Sequence, residues 1–234
     1  MTAQFQSALV LFSGGQDSTV CLAWALARYD RVETIGFDYG QRHAVEMECR
    51  ANVLREFPSR FPQWGAKMGE DLVADLTGFG RLAESALTAD QEIAAPEGQL
   101  PSTFVPGRNL AFLTSAAARA AVRDIDDLVG GMCQTDYSGY PDCRRDTMDA
   151  METALERGMG RLVPIRTPLM DLTKAQTWAL ADELGGAALT GLIVTETHTC
   201  YRGDRTPHDW GAGCGDCPAC DLREKGWREW RSAA

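Results

Sequence analysis

Residues 9–22 read LVLFSGGQDSTVCL, and this stretch predicts the fold around it. Four apolar residues open it, as in a strand that is buried on both faces. The Ser13-Gly14-Gly15 sequence then permits a tight turn, and the residues from Asp17 onward follow the pattern of a mostly buried helix. Such a turn points several backbone N–H groups and the positive end of the helix dipole at one spot. The stretch therefore predicts a phosphate-binding loop.

The loop is not of the Walker type GxxxxGK[ST], because no lysine follows Gly15. Ser13 and Ser18 carry hydroxyl groups that can donate hydrogen bonds to phosphate oxygens. Asp17 suits a site for a polyanion only if it helps to hold Mg²⁺ or orients the loop. The alternative is a plain glycine turn in which an Asp and a Ser cap the helix.

Further strands and helices alternate along the chain and predict an α/β fold. A Rossmann-like parallel sheet flanked by helices is expected, with right-handed crossovers. Asp38 ends the second strand, so it should face the same crevice as the Ser13 loop. Residues 58–106 break the pattern, and residues 94–106 are predicted to form an extended loop. The predicted strands are 9–12, 32–38 and 127–131, and the predicted helices begin near 17 and span 44–57, 109–122, 146–157 and 173–184.

Composition and charge narrow the function classes. The 234 residues are 44% hydrophobic and 24% charged, and no apolar run approaches the roughly 20 residues that span a bilayer. The first ten residues have neither a basic segment nor a long apolar core, so we expect a cytoplasmic protein with no membrane partner. The net charge of −10 argues against a nucleic-acid partner. The basic stretch 222–231 (LREKGWREWR) is predicted to form a solvated helix face or a dimer contact.

Four of the eight cysteines form a cluster with metal-binding spacing. Thirteen residues separate the first from the second, and two residues separate each later pair. Four thiolates close a tetrahedral Zn²⁺ site with no open position, which predicts one structural zinc per chain. An iron–sulfur cluster and four unmetallated thiols are the alternatives. His198 and His208 lie nearby but are not needed as ligands. The cluster is Cys200, Cys214, Cys217 and Cys220. It predicts two units, an α/β domain at 1–190 that carries the phosphate-binding loop and a zinc-binding segment at 191–234 packed on it.

The loop resembles the PP-loop ATP pyrophosphatase superfamily, whose signature is SGGxD[ST]. This resemblance implies that the α/β fold is of the adenine nucleotide alpha hydrolase type. Proteins of this superfamily release pyrophosphate from ATP and leave AMP on a substrate oxygen, which explains the missing lysine. The resemblance implies that the loop holds the β- and γ-phosphates as a unit while attack falls on the α-phosphate. Catalytic roles are expected for Ser13, Asp17, Ser18 and Lys174, the last steadying the transferring phosphate charge. The implied nucleotide-binding residues are Phe12, Ser13, Gly14, Gly15, Gln16, Asp17, Ser18 and Thr19.

Nearly the whole chain resembles the 7-cyano-7-deazaguanine synthase family of queuosine precursor synthesis. The matching stretches follow in one order, and their order makes the set specific. Two features depart from the family: the long gap between Cys200 and Cys214, and residues 58–84, which resemble it least. The matching stretches are FSGGQDST (12–19), FDYGQRH (37–43), SALT (85–88), FVPGRN (104–109), TDYSGYPDCR (135–144), PLMDLTKAQ (168–176) and CGDCPACDLR (214–223).

The resemblance implies a ligase that forms carbon–nitrogen bonds. Its substrates would be 7-carboxy-7-deazaguanine, free ammonium and ATP with Mg²⁺, and members of the family commonly form homodimers. ATP would first convert the carboxylate into an acyl adenylate, which ammonia turns into the amide. A second ATP would then activate the amide oxygen and allow the nitrile to form.

The resemblance also implies a substrate loop after the third predicted strand. Asp142 or Asp136 could accept hydrogen bonds from the pairing edge of the deazaguanine, and Tyr140 could stack on the base. Arg108 or Arg144 could fork to the substrate carboxylate. For each residue the alternative is a loop hydrogen bond or a surface ion pair, and the roles of residues 41–43 are equally open.

Two other functions compete with this interpretation. A PP-loop tRNA sulfurtransferase would need a reactive or cluster-binding cysteine at the crevice and a basic surface, whereas this chain is acidic and its cysteines form a closed set. A non-catalytic module that binds zinc and nucleotide would release no pyrophosphate with any acid.

Overall fold

A parallel sheet of five strands forms the centre of the computed structural model, which describes residues 6–43, 45–83, 85–89, 91–94, 99–135 and 139–233. Its strand order is β3-β2-β1-β4-β5, and every neighbouring pair is parallel. The order reverses between β1 and β4, which places a ligand crevice at the carboxyl ends of these two strands. The strands are β1 (Ser7–Leu11), β2 (Arg31–Asp38), β3 (Met68–Asp75), β4 (Asp127–Val129) and β5 (Ile165–Arg166).

Helices cover both faces of the sheet. The alternation of side chains along β1 separates two cores, since Ala8 and Val10 pack against α1, α2 and α7 while Leu9 packs against α5 and α6. Within the described residues no helix has both the length and the apolar character needed to cross a membrane. The helices are α1 (Gln16–Leu26), α2 (Val45–Arg60), α3 (Pro62–Gly65), α4 (Thr77–Leu82), α5 (Arg108–Arg123), α6 (Arg145–Met159), α7 (Lys174–Glu196) and α8 (Pro218–Ala233).

The predicted α/β fold is confirmed, and the structure adds elements that the sequence pattern concealed. Strand β3 lies at the edge of the sheet, and its sequence MGEDLVAD leaves most side chains half-buried or exposed. An edge strand of this kind lacks the apolar run expected of a central parallel strand. Helix α7 extends beyond the predicted end at residue 184. Its backbone is kinked at Gly186 (φ +59°), and a second helical stretch continues from there to Glu196.

The C-terminal segment packs on the sheet domain through α8. The Trp227 and Trp230 rings lie 4.8 Å and 5.9 Å from the Trp178 ring of α7, so these aromatic side chains contact their own chain. The prediction that residues 222–231 form a solvated helix face is wrong for Arg223. This side chain is fully buried, and its guanidinium donates to backbone carbonyls of two neighbouring segments. The proposed domain boundary at 190/191 falls inside α7. A two-stranded hairpin, β6 (Pro207–His208) and β7 (Gly211–Ala212), precedes the last three cysteines.

Gly226 allows α8 to approach the start of α7. A Cβ atom at Gly226 would lie 2.6 Å from Lys174 Cβ and 2.8 Å from its carbonyl carbon. Gly226→Ala should therefore lower the free energy of unfolding by about 1–3 kcal/mol, since the added methyl forces the two helices apart. Urea unfolding measures the effect.

The same substitution at Gly191 is the control. Gly191 lies inside α7 and a Cβ there meets no atom within 4 Å. Gly191→Ala should raise the free energy of unfolding by up to about 1 kcal/mol through helix propensity alone. Equal effects at both positions would contradict the close packing of α8 on Lys174.

Candidate active site

The glycine loop after β1 is held in a shape that only glycine permits at one position. Gly14 has φ +85°, and a Cβ atom there would lie 2.6 Å from the backbone nitrogen of Arg50. The Ser13 and Ser18 hydroxyl oxygens are 3.1 Å apart, and the Thr19 hydroxyl donates to the Gly15 carbonyl at 2.8 Å. The loop thus converges its hydroxyl groups at the N-terminus of α1, as an anion site requires.

Lys174 supplies a cation to the loop from far along the chain. Its Nζ lies 2.8 Å and 3.1 Å from the two carboxylate oxygens of Asp17, 157 residues away. Lys174 is the first residue of α7, and a capping box between Thr173 and Gln176 fixes the start of that helix. The structure therefore brings together Asp17 and Lys174, two of the predicted catalytic residues, and places Ser13 and Ser18 beside them.

Arg50 supports the loop from behind, and no sequence signal indicated it. Its side chain is 3% exposed, donates from Nε to the Phe12 carbonyl at 2.9 Å, and pairs with Asp71 of the edge strand β3. A buried guanidinium is costly unless it is paired and hydrogen-bonded, so Arg50 needs both the Phe12 carbonyl and the Asp71 carboxylate. The ion pair thus connects the strand missed by sequence analysis to the phosphate loop.

Two cavities open beside the loop and share part of their walls. The smaller one, of about 280 Å³, lies at the ends of β1 and β2 and is lined by Phe12, Ser13, Ser18, Phe37 and Tyr39. The larger one, of about 570 Å³, extends towards α8. Molecules bound in the two cavities would therefore meet where the cavities adjoin. The shared residues are Asp17, Arg108, Gly131, Cys143 and Tyr201.

Arg108 stands at the junction of the two cavities. It opens α5, and its guanidinium carbon is 5.9 Å from the centre of the Tyr39 ring. Burial opposes its charge, but the neighbouring Tyr39 and Asp142 outweigh this and raise the pKa of Arg108 above its ordinary value. Burial raises the pKa of Glu46, which lines the smaller cavity near Arg108. A permanent cation thus lies at the junction of the two cavities.

The predicted substrate loop contributes unevenly to the cavities. Tyr140 lines the larger one, and its hydroxyl is 2.5 Å from that of Thr103. Asp142 is buried and accepts from the Asn109 N–H at 3.1 Å, so its carboxylate supports the start of α5. Arg144 is exposed and lines neither cavity. Asp136 lies outside the described residues.

The C-terminal segment forms a wall of the larger cavity. Thr199 and Tyr201 precede the β6–β7 hairpin, and Asp221 and Leu222 follow it on α8. The sequence predicts only a structural role for this segment, because metal-ligand spacing does not indicate which neighbouring residues face a cavity. The segment that carries the four-cysteine cluster is therefore also part of the candidate site.

The four clustered cysteines have the geometry of a metal centre. Their sulfur atoms all lie within 4.8 Å of one another, with 3.9 Å between Cys214 and Cys220 and 4.0 Å between Cys200 and Cys217. Four thiolates around Zn²⁺ at about 2.3 Å place neighbouring sulfurs about 3.8 Å apart. The cluster therefore fits one tetrahedral metal ion.

The fold and the loop together define the class of protein. A 4-thiouridine synthetase solved in complex with RNA and bound ATP superposes with a TM-score of 0.54 at 16% identity, over 97% of this chain. The chain spans 54% of the length of that protein, and the likeness concerns the fold alone. A five-stranded parallel sheet with SGGQDS after its central strand defines a PP-loop ATP pyrophosphatase fold.

The family model described as "Queuosine biosynthesis protein QueC" matches residues 7–231. The chain belongs to this family of enzymes, as its sequence motifs predict. Two relatives named 7-cyano-7-deazaguanine synthase illustrate the similarity. The one from Caulobacter vibrioides is 68% identical over 97% of this chain and 95% of its own length, and the one from Maricaulis maris is 62% identical over 97% and 94%.

Proposed function

We propose that this chain is a 7-cyano-7-deazaguanine synthase that uses ATP to turn 7-carboxy-7-deazaguanine and ammonium into the nitrile. The observation that carries the proposal is the meeting of two cavities at Asp17 and Arg108, beside a PP-loop. One cavity for ATP and one for the acid would bring the α-phosphate and the carboxylate to the same junction. Relatives at 56–68% identity that carry this name support it.

ATP is assigned to the smaller cavity. The N-terminus of α1 and the hydroxyls of Ser13 and Ser18 suit the β- and γ-phosphates. Phe37 and Tyr39 offer an apolar wall to the adenine ring. We assign Asp17 to orienting Lys174 and to the Mg²⁺ that accompanies ATP, since a carboxylate is a hard oxygen ligand.

The acid is assigned to the larger cavity, with its carboxylate towards Arg108. Tyr140 stands on one wall of that cavity, and Asp221 of α8 stands on another and can accept hydrogen bonds from the donor edge of a deazaguanine. Arg144 is exposed, which leaves Arg108 as the better placed of the two arginines predicted to bind the carboxylate.

Two rounds of the same activation account for the nitrile. In the first, a carboxylate oxygen attacks the α-phosphorus, pyrophosphate leaves, and ammonia then displaces AMP to give the amide. In the second, the amide oxygen attacks the α-phosphorus of another ATP and pyrophosphate leaves. The C–O bond then breaks as AMP departs with that oxygen, and loss of the two amide protons leaves the carbon–nitrogen triple bond. Arg108 and Lys174 would offset the negative charge that develops at the α-phosphate in both rounds.

Several further assignments complete the proposal. Zinc is the proposed ion for Cys200, Cys214, Cys217 and Cys220, because four thiolates with no open position suit a structural zinc. A homodimer, residence in the cytoplasm, and a zinc-binding unit at 191–234 are proposed from the family resemblance and the sequence. The net charge of −10 supports a protein with no nucleic-acid partner.

A coupled assay tests the function. Purified protein is incubated with ATP, Mg²⁺, ammonium and 7-carboxy-7-deazaguanine while product mass and AMP are followed together. The nitrile should form with two AMP per molecule, and omission of ammonium should stop the product. Absence of nitrile, with no AMP above the level seen without the acid, would overturn the proposal.

A further inference from the structure

His198 lies directly against the phosphate loop. Its backbone N–H donates to the Gly14 carbonyl at 3.3 Å, and its own carbonyl oxygen is 3.1 Å from where a Cβ on Gly15 would lie. Thr197 and His198 are 0% and 2% exposed, so this part of the chain has little room to move. The backbone at His198 thus braces both glycines of the loop.

The same residue is also tied to the four-cysteine site. The His198 Nε2 atom is 2.8 Å from the Cys200 carbonyl. A carbonyl oxygen only accepts, so Nε2 must carry the proton and donate. His198 also forms a β-bridge with Ala212, two residues before Cys214. The segments that carry Cys200 and Cys214 therefore both contact His198.

Arg223 connects the segment around His198 to α8, the helix that also carries Cys220. Its buried guanidinium donates to the Thr199 hydroxyl at 2.8 Å, and to the carbonyls of Trp210 and Ile193 at 2.9 Å each. A Cβ atom at Gly211 would lie 2.4 Å from an Arg223 nitrogen. Three hydrogen bonds from one buried cation join the segment around His198 and the β6–β7 hairpin into a single rigid unit.

We propose that His198 is a positioning residue that couples metal loading of the four-cysteine site to the shape of the ATP loop. With the ion bound, Cys200 and Cys214 fix the two ends of the unit, and His198 then holds the Gly14 carbonyl. Without the ion, the unit becomes more mobile, and the backbone N–H groups of the phosphate loop no longer point at one position. The proposal rests on ATP binding at this loop, which is part of the proposed function.

The coupling predicts an effect on ATP binding from a residue outside both cavities. His198→Ala in the zinc-loaded protein should keep one equivalent of zinc and raise the Kd for ATP roughly three- to tenfold, the range of one lost hydrogen bond. His198→Gln should recover most of the affinity, because its side-chain amide can donate from nearly the same place. Removal of zinc from the native protein by a chelator should raise the Kd at least as much.

His208 provides a matched control. Its Nε2 atom is 3.0 Å from the Gly213 carbonyl, and its ring stacks on Trp210 at 4.5 Å. It thus makes the same kind of hydrogen bond as His198, but within the β6–β7 hairpin between Cys200 and Cys214. The contacts described for its side chain lie within the hairpin and do not reach the loop. His208→Ala should therefore leave the Kd for ATP unchanged even where it lowers the thermal midpoint.

Calorimetric titration with a non-hydrolysable ATP analogue, zinc content and thermal unfolding are measured on each protein. The proposal is overturned if zinc-loaded His198→Ala binds the analogue like the native protein, or if His198→Ala and His208→Ala weaken it equally. It is also overturned if zinc-free native protein that remains folded keeps its affinity. These measurements need no acid substrate, so their outcome does not depend on the outcome of the nitrile assay.

Discussion

Lys174→Met is expected to lower kcat/KM for ATP by roughly a thousandfold or more. The side chain is 10% exposed, and its ammonium bonds both oxygens of Asp17. Removing one preorganised donor from a site of developing charge costs about 10²–10³ in rate. A further loss follows because Asp17 would then place an unbalanced negative charge beside the triphosphate. Steady-state assays of AMP release measure the effect.

The double variant Asp17→Asn/Lys174→Met separates charge balance from catalysis. Lys174→Met alone should lower the free energy of unfolding by about 1–3 kcal/mol, because it strands a partly buried carboxylate. The double variant removes both charges and should recover much of that stability. Its turnover should stay low, since the cation at the α-phosphate is still missing. Recovery of turnover together with stability would assign Lys174 to balancing Asp17 only.

Lys67 offers the same substitution away from the site. Its Nζ donates to the Leu26 carbonyl at 2.8 Å, and it lines neither cavity. Lys67→Met should keep kcat/KM within about twofold of the native value. It should lower the free energy of unfolding by about 1 kcal/mol, the contribution of one hydrogen bond. A kcat/KM for Lys174→Met within tenfold of the native value would refute the assigned role.

Local signals were sufficient to predict the loop and the metal centre. SGGQDS lies between an apolar run and a helical pattern, so strand, turn and helix were all readable within 14 residues. The spacing of Cys200, Cys214, Cys217 and Cys220 likewise predicted four sulfurs that meet, as they do. In both cases the groups that interact are close in sequence.

What could not be predicted depends on contacts between distant residues. Strand β3 is half-exposed, so its alternation is too weak to mark a strand, yet its Asp71 holds Arg50 behind the loop. For Asp142 the sequence left two roles open, binding the substrate or making a loop hydrogen bond. Its carboxylate accepts from the Asn109 N–H, a contact that depends on where α5 begins. Nothing in the spacing of the cysteines placed Tyr201 at the junction of the two cavities.

The second large effect is expected at Cys217, whose side chain is fully buried in the cysteine cluster. Cys217→Ser replaces a thiolate with a hydroxyl, a poor ligand for a soft-ligand tetrahedral site. Metal binding to such a site contributes directly to folding free energy. The variant should lose its metal and lower the free energy of unfolding by more than about 4 kcal/mol. Tryptophan fluorescence should report the change, because α8 packs Trp227 and Trp230 against Trp178.

Cys21→Ser isolates the metal contribution from the cost of burying a hydroxyl. Cys21 is also 0% exposed but lies in α1, outside the cluster. Its replacement should cost about 1–3 kcal/mol, the range for a buried polar group without a full set of partners, and should leave one equivalent of metal bound. A Cys217→Ser protein that keeps its metal, or that unfolds at the same urea concentration as Cys21→Ser, would show that the four sulfurs meet for packing alone. Loss of metal with a large fall in stability at Cys217, and neither at Cys21, is the result that a closed structural site requires.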